Sequence, residues 1–481
     1  MAGDSRTLAR VTAVETASHP LPDLAPIVGT EVMARFEHRA AETVSLMAGR
    51  TFWNVNSTAT GGGVAEMLAS MVGWSRALGI DARWLVIEGT PEFFAVTKRL
   101  HNLLHGTPGD RGPLGKAERA IYEEVLARNS RELLGIVRAG DIVLLHDPQT
   151  AGLVPALAEA GAHVVWRCHI GTDDHNEYVN AGWAFLADWL LAAETHVFTR
   201  AAYAPDFLDR SRVWLIPPSI DPFSPKNMEL SDNQVAAIVA HLGLVEDGLE
   251  TATTWTMRDG SPRRVERAAD IVRAGRVPSQ SDPLVVQVSR WDRLKDPAGV
   301  MAGFAEHVIG ATRAHLALVG PSVAGVTDDP EGAEVFEECY AEWQALPSAA
   351  RRRIQLVTLP MRDVDENAVM VNAIQRHAAV VVQKSLREGF GLTVAEAMWK
   401  ARPVIGSAVG GIQDQVIDGV TGLLVDPLDP AAFGEALLEL LSDPEHATTM
   451  GKHARERAAA EYSGPRQLLQ YADLIRSLVS T

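Results

Sequence analysis

Short runs of β-branched and other apolar residues alternate with amphipathic helical segments from about residue 51 onward. This alternation is typical of parallel sheets that are covered by helices. The predicted strands lie at residues 83–87, 141–145, 163–167 and 213–216 in the first half and at 284–289, 315–319, 354–359, 379–383 and 403–406 in the second. The pattern therefore predicts an α/β protein with one parallel sheet in each half.

The boundary between the two halves is predicted in a polar region that contains several prolines. We assign residues 1–222 to a first domain, 223–283 to a linker or insert, and 284–462 to a second domain. Apolar side chains recur at helical spacing in residues 463–481, so this C-terminal helix needs a surface to cover and is expected to pack back on the first domain.

Composition and charge exclude several classes of protein. The 481 residues include 44 Lys and Arg against 61 Asp and Glu, and the formal net charge of −17 disfavours binding to nucleic acid. Cys168 and Cys339 are too few for a disulfide framework or a cysteine-rich zinc site. Neither a signal peptide nor an apolar run long enough to span a bilayer is evident, so we expect a cytoplasmic protein without membrane contact. Its apolar helical stretches permit a homodimer.

A glycine run, Gly61, Gly62 and Gly63, leads into an apolar stripe at helical spacing. Glycines allow backbone to approach a ligand closely, and a helix N-terminus attracts an anion. A flexible turn before an amphipathic helix explains the same pattern equally well. Both interpretations stay open at this point.

Two cations, Arg290 and Lys295, follow the strand predicted at residues 284–289. Ligands of open α/β sheets bind outside the carboxyl ends of the strands, where a guanidinium and an ammonium together would hold a diphosphate. The alternative is a pair of solvated surface cations that pair with Asp292 or Asp296.

Two glutamates, Glu388 and Glu396, follow the strand predicted at residues 379–383 and could flank a single bound ligand. The residues that would present backbone to that ligand are Gly389, Phe390, Gly391 and Leu392. A structural alternative is a capping box formed by Thr393 and Glu396, which explains Glu396 but leaves Glu388 unexplained.

Arg290 with Lys295, followed about a hundred positions later by Glu388 and Glu396 around a Gly-Phe-Gly sequence, resembles the retaining nucleotide-sugar glycosyltransferases of GT-B architecture. The resemblance implies two Rossmann-like domains that face each other across a cleft. It also implies that Arg290 and Lys295 bind the donor diphosphate, that Glu396 binds the ribose hydroxyls, and that Glu388 binds the donor sugar.

Motifs in the first half are similar to those of the trehalose glycosyltransferring synthases and of the related retaining trehalose phosphorylases. They lie at residues 56–68, 84–89, 93–98, 146–149, 166–169 and 218–222, with Met398, Trp399 and Lys400 in the second half. The resemblance implies transfer of glucose from a nucleoside-diphosphate glucose to glucose, which forms α,α-trehalose. A trehalose phosphorylase and a transferase with another acceptor are the alternatives.

The same resemblance implies roles for further residues of the first half. His169 would hydrogen-bond a hydroxyl of the donor sugar, and Gly62 and Gly63 would lie beside the donor. The residues expected to contact the acceptor are Asp147, Gln149 and Lys98. Each role has an alternative. His169 would be a core histidine that hydrogen-bonds to backbone, Asp147 and Pro148 would form a turn, and Lys98 would lie on a helix surface.

No metal or other cofactor is expected, because Arg290 and Lys295 would neutralise the leaving diphosphate. Asp363 and Asp365 imitate the metal-binding pair of GT-A transferases, but charged neighbours on both sides favour a solvated loop. Residues 171–175 and 244–278 depart from the family pattern, and the first of these segments is expected beside the acceptor.

Overall fold

The computed structural model describes residues 11–16, 25–59, 63–246, 253–323 and 330–480. These residues form two compact units, one within Met1–Ser219 and Gly464–Thr481 and the other within Ile220–Ser463. Each unit contains a seven-stranded sheet that is parallel except for one antiparallel edge strand. The predicted α/β fold, with one parallel sheet in each half of the chain, is confirmed.

The strands are β1 (Thr12–Ala13), β2 (Phe52–Asn56), β3 (Ala82–Val86), β4 (Ile142–His146), β5 (His163–Cys168), β6 (Thr195–Phe198), β7 (Val213–Leu215), β8 (Thr254–Thr256), β9 (Pro262–Arg264), β10 (Asp270–Val272), β11 (Leu284–Val288), β12 (His315–Pro321), β13 (Ile354–Leu359), β14 (Val380–Gln383), β15 (Val404–Ser407) and β16 (Gly422–Val425). The helices are α1 (Ala25–Val28), α2 (Thr30–Leu46), α3 (Gly63–Ala77), α4 (Pro91–Leu104), α5 (Lys116–Leu133), α6 (Val154–Glu159), α7 (Glu177–Leu190), α8 (Asp232–His241), α9 (Pro297–His307), α10 (Pro330–Ala345), α11 (Ser348–Arg351), α12 (Val364–His377), α13 (Leu392–Trp399), α14 (Ile412–Gln415), α15 (Pro430–Ser442), α16 (Pro444–Glu461) and α17 (Gly464–Val479). Short 3₁₀ turns lie at Pro148–Leu153, Ala201–Tyr203, Arg210–Arg212 and Arg293–Lys295.

The sheet of the first unit has the strand order β1-β3-β2-β4-β5-β6-β7, with β1 antiparallel to β3. Its strands are apolar along most of their length because helices cover both faces of a parallel sheet. Side chains of α4, α5 and α7 form the core on one face. Side chains of α3 and α17 form the core on the other face, and α2 packs against α17.

The C-terminal helix α17 belongs to the first unit. Tyr471, Leu474, Ile475 and Leu478 are at most 4% exposed and join the core against that sheet. Burying these four side chains stabilises the docked helix by roughly 1.5–3 kcal/mol for each large apolar side chain. Among the helices of the described ranges, none combines the length and the apolar character that a bilayer-spanning helix requires.

The sheet of the second unit has the strand order β10-β13-β12-β11-β14-β15-β16, with β10 antiparallel to β13. Strand β10 comes from the region that the sequence assigns to a linker or insert, and α8 from the same region packs on α12. An ion pair of Arg263 with Asp363 holds the β8–β9 hairpin, and an ion pair of Arg267 with Glu366 holds the segment that follows it. The described residues of this region, 223–246 and 253–283, are therefore part of the second unit.

Candidate functional site

The loop after the carboxyl end of β11 contains both predicted cations and a capped 3₁₀ turn. The Asp292 side chain accepts a backbone hydrogen bond of 2.8 Å and caps the 3₁₀ turn. Asp296 takes a left-handed backbone conformation with φ 49°, which aspartate tolerates better than most residues, and caps α9 through a hydrogen bond of 3.1 Å. These two successive caps fix the backbone from which Lys295 projects, and Arg290 lies two residues before the first cap.

Arg290 and Lys295 make different ion pairs. The Lys295 Nζ lies 2.5 Å from Oε2 of Glu388, and the two side chains are 18% and 12% exposed. The Ser385 hydroxyl donates to the same carboxylate oxygen at 3.3 Å. Arg290 is 60% exposed and pairs with Asp292 at 3.1 Å. The structure thus brings Lys295 and Glu388 together, while Arg290 adopts the surface pairing that the sequence leaves open as its alternative.

The loop after β14 is tied directly to the turn after β11. The Leu386 backbone N–H donates to the Leu294 carbonyl at 2.8 Å. Lys384, which is 4% exposed, forms an ion pair with Asp296. The Lys295–Glu388 pair therefore lies between two loops that are held to each other by separate contacts.

The Gly-Phe-Gly sequence shapes the start of α13. Gly391 has φ 87°, a conformation that favours glycine, and it is the N-cap residue of the helix. The helix consequently begins at Leu392, before Thr393, and no side chain caps it. The capping-box interpretation of Glu396 is therefore wrong. Gln415 Nε2 steadies the turn by donating to the Gly391 carbonyl at 3.3 Å.

Gly389 and Phe390 complete this loop by close packing. A Cβ atom added to Gly411 would lie 2.6 Å from the Phe390 Cα and 2.9 Å from the Gly389 carbonyl oxygen, so the two backbone segments need a glycine between them. The Phe390 ring, 7% exposed, packs edge-on against Tyr462 with ring centroids 5.6 Å apart. The Phe390 side chain thus contributes to packing.

Glu396 is buried in a cationic environment at 5% exposure. Its Oε1 lies 3.6 Å from Nζ of Lys226. At the C-cap of α13, the buried Lys400 ammonium donates to the Glu396 carbonyl at 3.1 Å and to Oδ1 of Asn227 at 2.9 Å. Burial lowers the pKa of Lys400 to about 7, and the charge of Glu396 partly opposes that shift. The loop that carries Lys226 and Asn227 therefore supports the helix that presents Glu396.

In the first unit, the carboxyl ends of β4 and β5 bring Asp147 and His169 together. Asp147 has φ 66°, and its Oδ1 accepts the His169 backbone N–H at 2.7 Å. Trp166 Nε1 donates to the Asp147 carbonyl at 3.1 Å. Burial raises the pKa of Asp147 to about 7, although the hydrogen bond from His169 opposes this shift. This carboxyl group is therefore partly protonated near neutral pH.

The His169 ring contacts two other side chains. Its Nε2 lies 3.0 Å from Nδ1 of His146, and the two rings are nearly parallel with an interplanar angle of 11°. The Arg167 Nε lies 3.4 Å from Nδ1 of His169. Burial lowers the pKa of both histidines, and the charge of Arg167 adds to this effect. Side chains therefore hold the His169 ring. The alternative interpretation, a core histidine that hydrogen-bonds to backbone, does not describe these contacts.

The remaining predicted residues of the first unit are Gln149, Lys98, Gly62 and Gly63. Gln149 lies in the 3₁₀ turn Pro148–Leu153, and its Oε1 is buried without a hydrogen-bond partner among the described residues. Lys98 is exposed on α4, which agrees with the alternative that it is a lysine on a helix surface. Gly63 is the first residue of α3, and Gly62 lies outside the described residues.

The perturbed carboxyl group of Asp147 predicts a pH-dependent stability. Because its pKa in the folded protein is raised from 3.8 to about 7, its contribution to stability is fully present below pH 3.8 and is lost as the pH rises through 7. Asn keeps the acceptor for His169 and has nearly the same size as Asp, but it cannot ionise. We expect Asp147→Asn to raise the Tm above that of the wild type by a few degrees at about pH 8, and to leave it nearly unchanged at about pH 4. Thermal unfolding followed by circular dichroism checks this, and a difference in Tm that does not vary with pH would contradict it.

Asp363 and Asp365 have structural roles at the start of α12. Asp363 accepts the backbone N–H groups of Asp365 at 3.1 Å and Glu366 at 3.0 Å, and so caps the helix. It also pairs with Arg263 of the β8–β9 hairpin. Across the described ranges, no group of three or more His, Cys, Asp or Glu side chains is arranged to hold a metal ion.

The unusual segment at residues 171–175 is fastened to the turn after β6. A Cβ atom at Gly171 would lie 2.1 Å from Cγ of Tyr203, so only glycine fits against that ring. Asp173 pairs with Arg200 at 2.8 Å, and His175 Nε2 lies 2.7 Å from the Ala202 carbonyl oxygen. This segment is therefore an ordered part of the first unit.

Several residues that support the predicted site residues were not predicted from the sequence. Arg167 and Lys400 lie within the motifs at 166–169 and 398–400, so these motifs could have indicated both residues. Asn227 meets Lys400 across 173 positions of the chain, and no local pattern indicates that contact. The same holds for Lys226 beside Glu396.

Both units match known proteins. Residues 54–205 match the family "Trehalose synthase, N-terminal domain", and residues 365–457 match "Glycosyl transferases group 1". Among solved structures, an α,α-trehalose-phosphate synthase (UDP-forming) from Burkholderia vietnamiensis aligns with a TM-score of 0.64 at 16% identity, over 90% of this chain and 99% of that one. The fold and these matches identify a glycosyltransferase of the GT-B class.

Proteins of similar sequence identify the family within this class. A trehalose synthase of Pyrococcus horikoshii is 34% identical over 468 residues, which cover 97% of this chain and 99% of that protein. The chain belongs to the trehalose synthase family. A trehalose phosphorylase of Grifola frondosa is more distant, at 25% identity over 84% of this chain and 54% of that protein.

Proposed function

We propose that this chain transfers glucose from a nucleoside-diphosphate glucose to free glucose with retention of configuration, and so forms α,α-trehalose. The observation that carries the proposal is the sheltered Lys295–Glu388 pair at a distance of 2.5 Å, in a chain of the trehalose synthase family. A nucleotide sugar needs a cation for its diphosphate and acceptors for the hydroxyls of its sugar and ribose. Lys295, Glu388 and the buried Glu396 supply these groups.

Departure of the nucleoside diphosphate would leave negative charge on its phosphate oxygens. Lys295 would exchange its contact with Glu388 for a phosphate oxygen, which releases the carboxylate to accept a hydroxyl of the donor sugar. Arg290, 60% exposed and paired with Asp292, has room to turn and present its planar guanidinium to the diphosphate. Together the two cations would stabilise this charge without a metal ion or another cofactor.

Retention requires the acceptor hydroxyl to attack from the face on which the leaving group departs. A phosphate oxygen of the leaving group can then take the acceptor proton, so no strong protein base is needed. Asp147 and His169 would bind sugar hydroxyls in the first unit. Asp147 can donate or accept such a hydrogen bond near neutral pH, because its pKa is raised to about 7.

A trehalose phosphorylase is the second candidate, since the chain also aligns with a phosphorylase. It would use the same site residues, with inorganic phosphate in place of the nucleotide. Glu396 argues against this candidate, because a phosphorylase has no ribose for a buried carboxylate to bind. A transferase with another acceptor, such as a sugar phosphate or an alcohol, is favoured only by the departure of residues 171–175 from the family pattern.

The test is a panel of UDP-, ADP- and GDP-glucose against glucose and glucose 6-phosphate, with and without a chelator. Products are analysed by mass and by anomeric configuration. We expect a nonreducing α,α-linked disaccharide from glucose, at a rate that the chelator leaves unchanged. Incubation with trehalose and phosphate is the parallel control, and release of glucose 1-phosphate without any nucleotide would overturn the proposal in favour of the phosphorylase.

A further inference from the structure

Arg167 is a fully buried arginine between the first sheet and the C-terminal helix. Its side chain is 0% exposed on β5. Nη1 donates to the Tyr471 hydroxyl on α17, and Nη2 donates to the Ile216 carbonyl at 3.0 Å. The Nε lies 3.4 Å from Nδ1 of His169. A guanidinium is costly to desolvate, and these three directed contacts offset part of that cost. They also hold the guanidinium in one orientation.

The contact with Arg167 fixes where the His169 ring carries its proton. A guanidinium N–H can only donate, so Nδ1 of His169 accepts and carries no proton. A neutral ring then holds its proton on Nε2, which lies 3.0 Å from Nδ1 of His146. His146 accepts that hydrogen bond, and its own proton lies on Nε2. That atom is buried with no hydrogen-bond partner among the described residues.

Both rings stay neutral near pH 7 because burial and the charge of Arg167 lower the pKa of each histidine. With both rings neutral, only one arrangement of protons satisfies the contacts from Arg167 through His169 to His146. This arrangement of protons depends on the position of the Arg167 guanidinium. The Tyr471 hydroxyl and the Ile216 carbonyl, the other two partners of Arg167, hold it there.

We propose that Arg167 is a positioning residue that holds His169 as the neutral tautomer protonated at Nε2, and that Tyr471 of the C-terminal helix holds Arg167 in turn. His169 then has a single N–H donor, which His146 accepts at 3.0 Å and which a hydroxyl of the donor sugar would accept in place of His146. The proposal rests on the proposed function only for the contact between this N–H and the donor sugar. It also makes α17 a support of the sugar site, although 304 positions separate Arg167 from Tyr471.

The tautomer can be measured without any substrate. Labelling the 15 histidines with ¹⁵N and recording long-range ¹H–¹⁵N correlations shows which nitrogen of each ring is protonated. A His169→Gln variant identifies the His169 signals by their loss. We expect a protonated Nε2 and an unprotonated Nδ1 in the wild type at about pH 7. A proton on Nδ1, or on both nitrogens, would overturn the proposal.

Two variants test the support of the tautomer. Tyr471→Phe keeps the ring in the core and removes only the hydroxyl that accepts from Arg167, whereas Arg167→Lys keeps the charge and removes the Nε–H donor. We expect Tyr471→Phe to lower kcat about tenfold with less than about a twofold change in donor KM. We expect a larger loss of kcat in Arg167→Lys, and mixed tautomer signals of His169 in both variants.

Tyr340→Phe is the matched control, because the Tyr340 ring stacks on Trp343 within the second unit, whereas Arg167 belongs to the first. We expect wild-type kcat and wild-type His169 signals in this variant. Wild-type tautomer signals in both Tyr471→Phe and Arg167→Lys would overturn the positioning role. If the donor panel yielded no trehalose, the wild-type tautomer would still be measurable, so the two failures are distinguishable.

Discussion

Lys295→Ala is expected to lower turnover by about a hundred- to a thousandfold, the typical loss for one preorganised charged or hydrogen-bonding group that stabilises a transition state. Lys295 lies in a sheltered pair, 18% exposed, with its Nζ 2.5 Å from Glu388. Because the local dielectric is lower than that of water, its charge would act strongly on a departing diphosphate. The measurement is the steady-state rate of disaccharide formation with the donor that the panel selects.

Lys452→Ala is the matched control, since Lys452 is exposed on α16 and its truncation removes the same side chain from a surface position. Circular dichroism of both variants verifies that each is folded. A folded Lys295→Ala protein with a near-wild-type rate would refute the role of Lys295 in neutralising the leaving group.

Glu388→Gln is expected to lower kcat by at least about a hundredfold. Glutamine has nearly the same size and still accepts from Ser385, but it has no charge to pair with Lys295 and is a weaker acceptor for a sugar hydroxyl. The loss should appear mainly in kcat, because the donor sugar carries charge only as the bond to the diphosphate breaks. Steady-state kinetics with varied donor concentration measures both parameters.

Glu435→Gln is the control for this substitution, because Glu435 is exposed on α15. A double variant gives a sharper test. Since Lys295 and Glu388 are in contact, their effects should not be additive, and Lys295→Ala combined with Glu388→Gln should lose far less than the product of the two single losses. A full product of the two losses would contradict a shared role.

The fold could be predicted wherever a strand has a continuous apolar, β-branched run. The bounds of β13, Ile354–Leu359, agree with the prediction, and those of β4 and β11 differ by about one residue. Strand β2, Phe52–Asn56, was not predicted, because Asn54 and Asn56 interrupt its apolar pattern. It is nevertheless buried along its whole length in the sheet, and this burial depends on tertiary packing that local pattern does not report.

The site was predictable in part because parallel strands end at a shared edge. Strands β11 and β14 pair in parallel, so the residues that follow them, Lys295 and Glu388 among them, meet at the carboxyl edge. The start of α13 could not be read from local pattern, since Thr393 and Glu396 imitate a capping box while the left-handed Gly391 begins the helix earlier. Contacts such as that of Arg167 with Tyr471 depend on how distant segments pack, which no periodicity records.

A crystal structure with a bound nucleoside diphosphate would show whether the two cations of the second unit hold the leaving group. We expect phosphate oxygens within about 3 Å of the Lys295 Nζ and of the Arg290 guanidinium, with the ribose hydroxyls on Glu396. Glu388 should then have left Lys295 and point toward the site of the donor sugar. A diphosphate bound elsewhere, or Arg290 and Lys295 both turned to solvent with the nucleotide present, would contradict the proposed mechanism.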